Sequence, residues 1–218
     1  MLTLVTTAPQ RTPQRTPQPE RTRAMRTRLM QATIDCLIER GWAGTTTTLV
    51  SEVAGVSRGA QLHHFHTKHE LVVASLEHLS EQMTAELQRR HDQATRGKQR
   101  STRSVLTMLA DYYTSDLFVA SLELWVAART DEPLREIVRP MERRWGREEH
   151  ELAVAMLAAD DSDRPTRALV QATLDMLRGF GLANTLSDDT RRRNAILAEW
   201  STIFDATARR TTTIGRSR

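Results

Sequence analysis

The sequence predicts an all-α protein, and three observations carry the prediction. Apolar residues recur at i, i+3, i+4 and i+7 from about residue 21 onward. No stretch alternates apolar and polar residues with the two-residue period of a strand. Charged residues make up 27% of the chain and aromatics only 5%, a balance that suits a soluble helical protein. At 218 residues there is enough chain for one good core, or for two small helical domains that share one.

Residues 1–20 are the exception. The run QRTPQRTPQPE holds a tandem RTPQ, repeated Pro and no apolar residue to bury, which predicts a disordered basic arm. It is either a tail without a role or an arm for phosphates beside a main contact. A first helix follows over 21–40. Leu29, Ala32, Thr33, Cys36 and Leu37 form its buried stripe, and Gly41 ends it. On that stripe Cys36 reads as a small buried hydrophobe, with a redox thiol the lesser reading.

Thr45 to Lys68 is the most informative stretch. Thr46 or Thr47 can N-cap a short helix. Leu49, Val50, Val53 and Ala54 give that helix one apolar face. Gly55 supplies a left-handed turn at low cost, and Val56 is a plug between helices. Ser57 is a second N-cap, and Arg58 to His64 form a second short helix. Two short helices joined by a Gly turn make a helix-turn-helix, whose second helix enters the major groove. Arg58, Gln61, His63 and His64 carry the donors and acceptors such a helix needs.

These residues, in this order, resemble the TetR family of regulators over roughly residues 23–83. Gly41-Trp42 sits at the family's Gly-aromatic pair and Thr45-Thr46 at its Thr pair. Ala54-Gly55-Val56-Ser57 matches its turn, and His63-His64-Phe65 with Lys68 matches the end of its recognition helix. Two positions depart. Leu62 stands where the family often has a Tyr that touches the DNA backbone. Gln61 stands where a buried Leu is usual, so Gln61 either reads a base or occupies a strained core position.

The resemblance implies a three-helix DNA-binding head over 21–68 and a linking helix over 69–90. A helical effector-binding and dimerisation domain then spans 91–209, with a disordered tail over 210–218. It implies a repressor on a palindromic double-stranded operator, released when a small molecule binds the second domain. Within the head, Arg58 is expected to read a base, most naturally guanine, with Thr47, Thr48 and Gln61 adding base-edge contacts. Thr46, Ser57, His63, His64 and Lys68 are expected on phosphates. Gly59, Ala60 and Leu62 complete the expected DNA-binding set.

Beyond the head, Thr67 caps a helix from His69 to about Arg90, and Arg90–Arg103 reads as an exposed connection. Further helices are predicted near 102–114, 116–129, 132–158, 163–184 and 189–209. Pro133 and Pro165 suit helix starts. Pro140 should kink or split its helix. The segment DYYTSDLFVASLELWVAART mixes aromatics with isolated polar groups, as small-ligand sites do. Met108, Asp111, Tyr112, Tyr113, Asp116, Phe118, Leu122, Glu123, Trp125, Arg129 and Trp145 are the candidate pocket residues. The alternative is ordinary helical core, with Glu123 and Arg129 as an ion pair. Leu169, Thr173, Leu177, Ile196, Trp200, Ile203 and Phe204 are the candidate homodimer face, which would set two recognition helices about 34 Å apart.

Charge agrees with this division. Residues 1–75 hold nine Lys/Arg against five Asp/Glu, and the remainder balances, so the whole excess lies where DNA would bind. Five of seven histidines cluster between His63 and His78, but their spacing does not make a metal site. Asp160, Asp161, Asp163, Asp188 and Asp189 fall at helix starts and read as caps. No nucleophile elbow, HExxH, Walker loop or GxGxxG occurs, so neither an enzyme nor a cofactor is expected. One cysteine, no leader-like N-terminus and no membrane-length apolar run point to the cytoplasm. The competing reading is a helical small-molecule-binding or scaffold protein whose helix-turn-helix only packs.

Overall fold

The computed structural model describes residues 18–95 and 101–210. These residues form nine helices in the order α1 (Gln18–Gly44), α2 (Thr47–Val53), α3 (Arg58–His64), α4 (Lys68–Thr95), α5 (Thr102–Tyr113), α6 (Asp116–Ala128), α7 (Glu132–Leu157), α8 (Arg164–Asn184) and α9 (Thr190–Thr207). Among the described residues the one extended pairing is an isolated bridge between Ala159 and Arg210.

Three apolar clusters organise the helices. Leu29, Cys36, Val50, Phe65 and Leu71 join α1–α4 into a head. Leu106, Leu109, Tyr113, Leu174, Leu177 and Phe204 join α5, α8 and α9 in the body. Between them, Ile34 and Leu37 of α1 and Val72 and Leu76 of α4 pack on Leu117, Leu124 and Leu134 of the body. The stripe on α1 therefore serves two cores: all five of its predicted residues are buried, and the adjacent Ile34 turns towards the body. Head and body share an apolar joint rather than a solvated linker.

The helix starts are set locally. Asp131 accepts from Leu134 N at 3.0 Å and Asp163 from Thr166 N at 3.0 Å, each meeting an otherwise unpaired donor. Asp189 sits at the cap of α9 without a cap bond, and Asp188 instead accepts from Thr190 N at 3.0 Å.

Several boundaries differ from expectation. α1 begins at Gln18, three residues inside the predicted arm, where Arg21 bonds the Gln18 amide. The rest of the arm, residues 1–17, lies outside the described residues. α4 continues to Thr95, which shortens the predicted 90–103 connection. α7 runs unbroken through Pro140. Pro140 and Glu136, whose carbonyl loses its helical donor, both lie on the exposed face, which leaves that carbonyl open to solvent rather than buried unpaired. Arg210 does not belong to a loose tail: it donates to the Leu157 carbonyl, Thr102 and Asp205, and stacks over Phe204. Residues 211–218 of that predicted tail lie outside the described residues.

Candidate nucleic-acid interface

The helix-turn-helix is built by its own side chains. Thr46 Oγ1 accepts from Leu49 N at 3.1 Å and starts α2. Gly55 has φ 63°, the left-handed conformation that ends it. Ser57 Oγ accepts from Ala60 N at 3.2 Å and starts α3. Thr67 and Glu70 then form a reciprocal cap at α4: Glu70 N donates to Thr67 Oγ1 at 3.1 Å, and His66 N to Glu70 Oε2 at 2.9 Å.

α3 has two distinct faces. Gln61 is fully buried, as is Phe65 just past the helix end. Arg58, Gly59, Leu62 and His63 are exposed, while Ala60 and His64 are half-buried. On α2, Thr46 and Thr48 are exposed and Thr47 is half-buried. Val53, expected on the apolar face of α2, is exposed, and Val50 alone of the four expected residues is fully buried.

Two expected DNA contacts are corrected. Gln61 takes the alternative, core position and is turned away from the open face of α3. Its Nε2 donates to the Phe65 carbonyl at 2.7 Å, while Oε1 is buried without a partner. Lys68 does not reach outwards to a phosphate. Its ammonium donates to the Trp42 carbonyl and lies 3.7 Å from the Trp42 ring centroid. Burial pulls its pKa down, partly offset by Asp131.

Arg26 is a head residue that sequence reading missed. Its guanidinium donates to the His64 carbonyl at 3.2 Å and lies 4.3 Å above the Phe65 ring. No local pattern could have found it, because 38 residues separate Arg26 from His64. Burial lowers the His64 pKa, with His63 and Arg26 adding to the shift.

Trp42 forms the hinge between head and body. Trp42 N donates to Glu123 Oε2 at 3.2 Å, and its ring packs on His69 with centroids 5.4 Å apart. His69 Nε2 lies 3.9 Å from Asp131 Oδ2, at the cap of α7. Gly41 suits its φ of 64°, where a side chain would be strained, and a Cβ there would come 2.6 Å from Glu123 Oε2 and push that carboxylate away. Glu123 therefore meets α1 rather than Arg129, the partner expected for it.

The expected pocket residues are divided between separate sites. Phe118 is core, and Leu122 packs beside it. Met108, Asp111 and Tyr112 line one outer groove, and Trp125 and Arg129 another. Of the expected residues Tyr112, Tyr113 and Trp145 line the central cavity, with Leu109, Glu149 and Leu174 among its other walls. That cavity is ≈ 20 Å³, room for about one water. On its wall Glu149 accepts from Tyr113 Oη at 2.7 Å and from Arg178 at 2.8 Å, with Tyr112 Oη at 3.4 Å. Burial and the Glu149 carboxylate push both tyrosine pKa values above the usual phenol range.

Within the single chain the expected dimer-face residues divide between core and surface. Leu177 and Phe204 are fully buried inside their own chain, and Thr173 accepts from Trp200 Nε1 at 2.9 Å. These residues close the monomer. Leu169, Ile196 and Trp200 pack partly on the same core. Ile203 is 48% exposed, and Leu182 on α8 is 57% exposed.

A capped helix-turn-helix head is joined through an apolar joint to an all-helical body. Residues 29–74 match the family described as bacterial regulatory proteins, tetR family. It is similar to the HTH-type transcriptional regulator CymR of Pseudomonas putida, at 40% identity over 132 residues, covering 60% of this chain and 64% of that relative. An uncharacterised HTH-type transcriptional regulator of Mycobacterium bovis is 28% identical over 147 residues, covering 67% of this chain and 75% of the relative. The fold resembles a regulator structure from Pseudomonas aeruginosa PAO1, with TM-score 0.65, 23% identity, and coverage of 88% of this chain and 93% of that one. It also resembles the multidrug-binding protein EbrR complexed with malachite green, with TM-score 0.57, 22% identity, and coverage of 80% and 96%. At these identities the two structures share the fold with this chain.

Proposed function

We propose that this chain is a sequence-specific transcriptional repressor that binds a palindromic operator as a homodimer in the cytoplasm and is released by a small molecule. The observation that carries the reading is the outward face of α3, where Arg58, Gly59, Leu62 and His63 are exposed on a helix held by caps and packing at both ends. Arg58 reads a base, and Thr47 and Thr48 add base-edge contacts. Thr46, Ser57, His63 and His64 hold phosphates; the capping oxygens of Thr46 and Ser57 keep their hydroxyl hydrogens free to donate. The second copy docks on α8 and α9 through Leu182 and Ile203, which the monomer leaves exposed.

The effector enters between Tyr112, Trp145 and Glu149. A cavity of ≈ 20 Å³ admits no molecule larger than water, so binding must move these walls apart. α4 contributes Ser80 and Thr84 to the same cavity and Lys68 and His69 to the Trp42 hinge, so it couples the two sites. Release requires the ligand to favour a head spacing that does not fit the operator, with a coupling of roughly 1–3 kcal/mol. The malachite green complex of EbrR supports a small-molecule effector on this fold.

Fluorescence anisotropy on a duplex from immediately upstream of the coding region, against random duplex, tests the reading. A specificity ratio above ~10³ is expected, and Arg58→Ala should cost about 1–3 kcal/mol and relax preference at one operator position. If wild type and Arg58→Ala bind every operator variant equally, Arg58 reads no base.

A further inference from the structure

We infer that Leu62 is a specificity-determining residue that reads the 5-methyl group of a thymine beside the base taken by Arg58. The inference rests on the DNA-reading function proposed above. Among the described residues of the head, Val53 and Leu62 are the only exposed large apolar side chains, and Leu62 alone of the two points out from the open face of α3. Its neighbours on the open face are polar or absent: Arg58 one turn before, His63 after, and Gly59 with nothing within 4 Å of where its Cβ would stand.

Leu62 has no donor or acceptor, so it cannot hold a phosphate or a polar base edge. The one apolar group that bases present in the major groove is the thymine methyl. Burying Leu62 against it removes apolar surface from water on both sides. Residues four apart on a helix share a face, separated by about 6 Å along the axis. Base pairs stack about 3.4 Å apart, so the thymine lies one or two steps from the Arg58 base. The bare Gly59 lets the backbone of α3 approach closely enough for a leucine to reach.

The test uses the full chain and its operator. Each thymine is replaced singly by deoxyuridine, which lacks only the methyl group, and affinities are measured for wild type and Leu62→Ala. Wild type should lose about fourfold at one thymine per half-site, which is about 0.8 kcal/mol at 1.4 kcal/mol per tenfold. That thymine should lie within two base pairs of the position relaxed by Arg58→Ala, and Leu62→Ala should bind the two duplexes equally. A uridine penalty that survives in Leu62→Ala, or a flat uridine profile in wild type, overturns the inference while leaving sequence-specific binding intact. Failure of wild type to prefer the operator over random duplex overturns the proposed function as well. Unchanged helicity and thermal midpoint in Leu62→Ala, whose side chain is exposed, separate lost reading from lost folding.

Discussion

The guanidinium of Arg26 lies 4.3 Å above the ring of Phe65, so the first helix clamps the end of the third. The contact matters because α3 has only seven residues and cannot hold itself. Its last carbonyls have no intrahelical donor, and Phe65 at its C-cap is extended rather than left-handed. Arg26 and Gln61 supply the missing donors, to the His64 and Phe65 carbonyls.

Arg26→Ala removes a cation–π contact and a charged hydrogen bond, and should destabilise the head by about 1–2 kcal/mol. Urea unfolding measures the loss. DNA affinity should fall for all sequences alike, because the whole helix loosens. An unchanged midpoint with an altered base preference would make Arg26 a reader instead.

Gln61→Ala opens a void and frees the Phe65 carbonyl but also removes the unpartnered Oε1, leaving a net loss of about 1–2 kcal/mol. Because Gln61 is fully buried, the ranking of operator variants should stay the same. Selection from random duplexes, run on both proteins, decides. A changed consensus would return Gln61 to the base edges.

Lys68→Met should lower the thermal midpoint, since the ammonium bonds the Trp42 carbonyl and stacks on its ring. The salt dependence of DNA binding should keep its slope. A direct phosphate contact would instead reduce the slope by about 0.9 per site. Titration at several salt concentrations separates the two roles.

Burial holds the His64 pKa below its ordinary value near 6.5, with His63 and Arg26 adding to the effect. The unfolded chain therefore takes up this proton first as pH falls, and the folded state loses stability through that window. Thermal midpoints of wild type should drop more than those of His64→Asn between about pH 7.5 and about pH 5.5. Parallel curves would show that His64 is not responsible.

Much of the fold was legible because its determinants are local. Thr46, Ser57, Thr67, Asp131 and Asp163 each bond a backbone N–H three residues on, and the predicted bounds of α5–α9 lie within two residues of those observed. The turn at Gly55 follows from one residue's freedom at positive φ. Side-chain direction was less legible. Gln61 and Lys68 both read as DNA contacts by type and position, yet one turns inward to its own helix end and the other to Trp42.

The sequence alone determined the helices, their caps, the helix-turn-helix and the concentration of basic charge in the head, because hydrophobic period, capping and turn chemistry act over a few residues. Only the tertiary structure decided which apolar residues close the monomer, which aromatics surround the cavity, and that Glu123 holds Trp42 across 81 residues of chain. Those choices depend on which helix faces meet, and a periodic stripe tells that a face is buried but not against what.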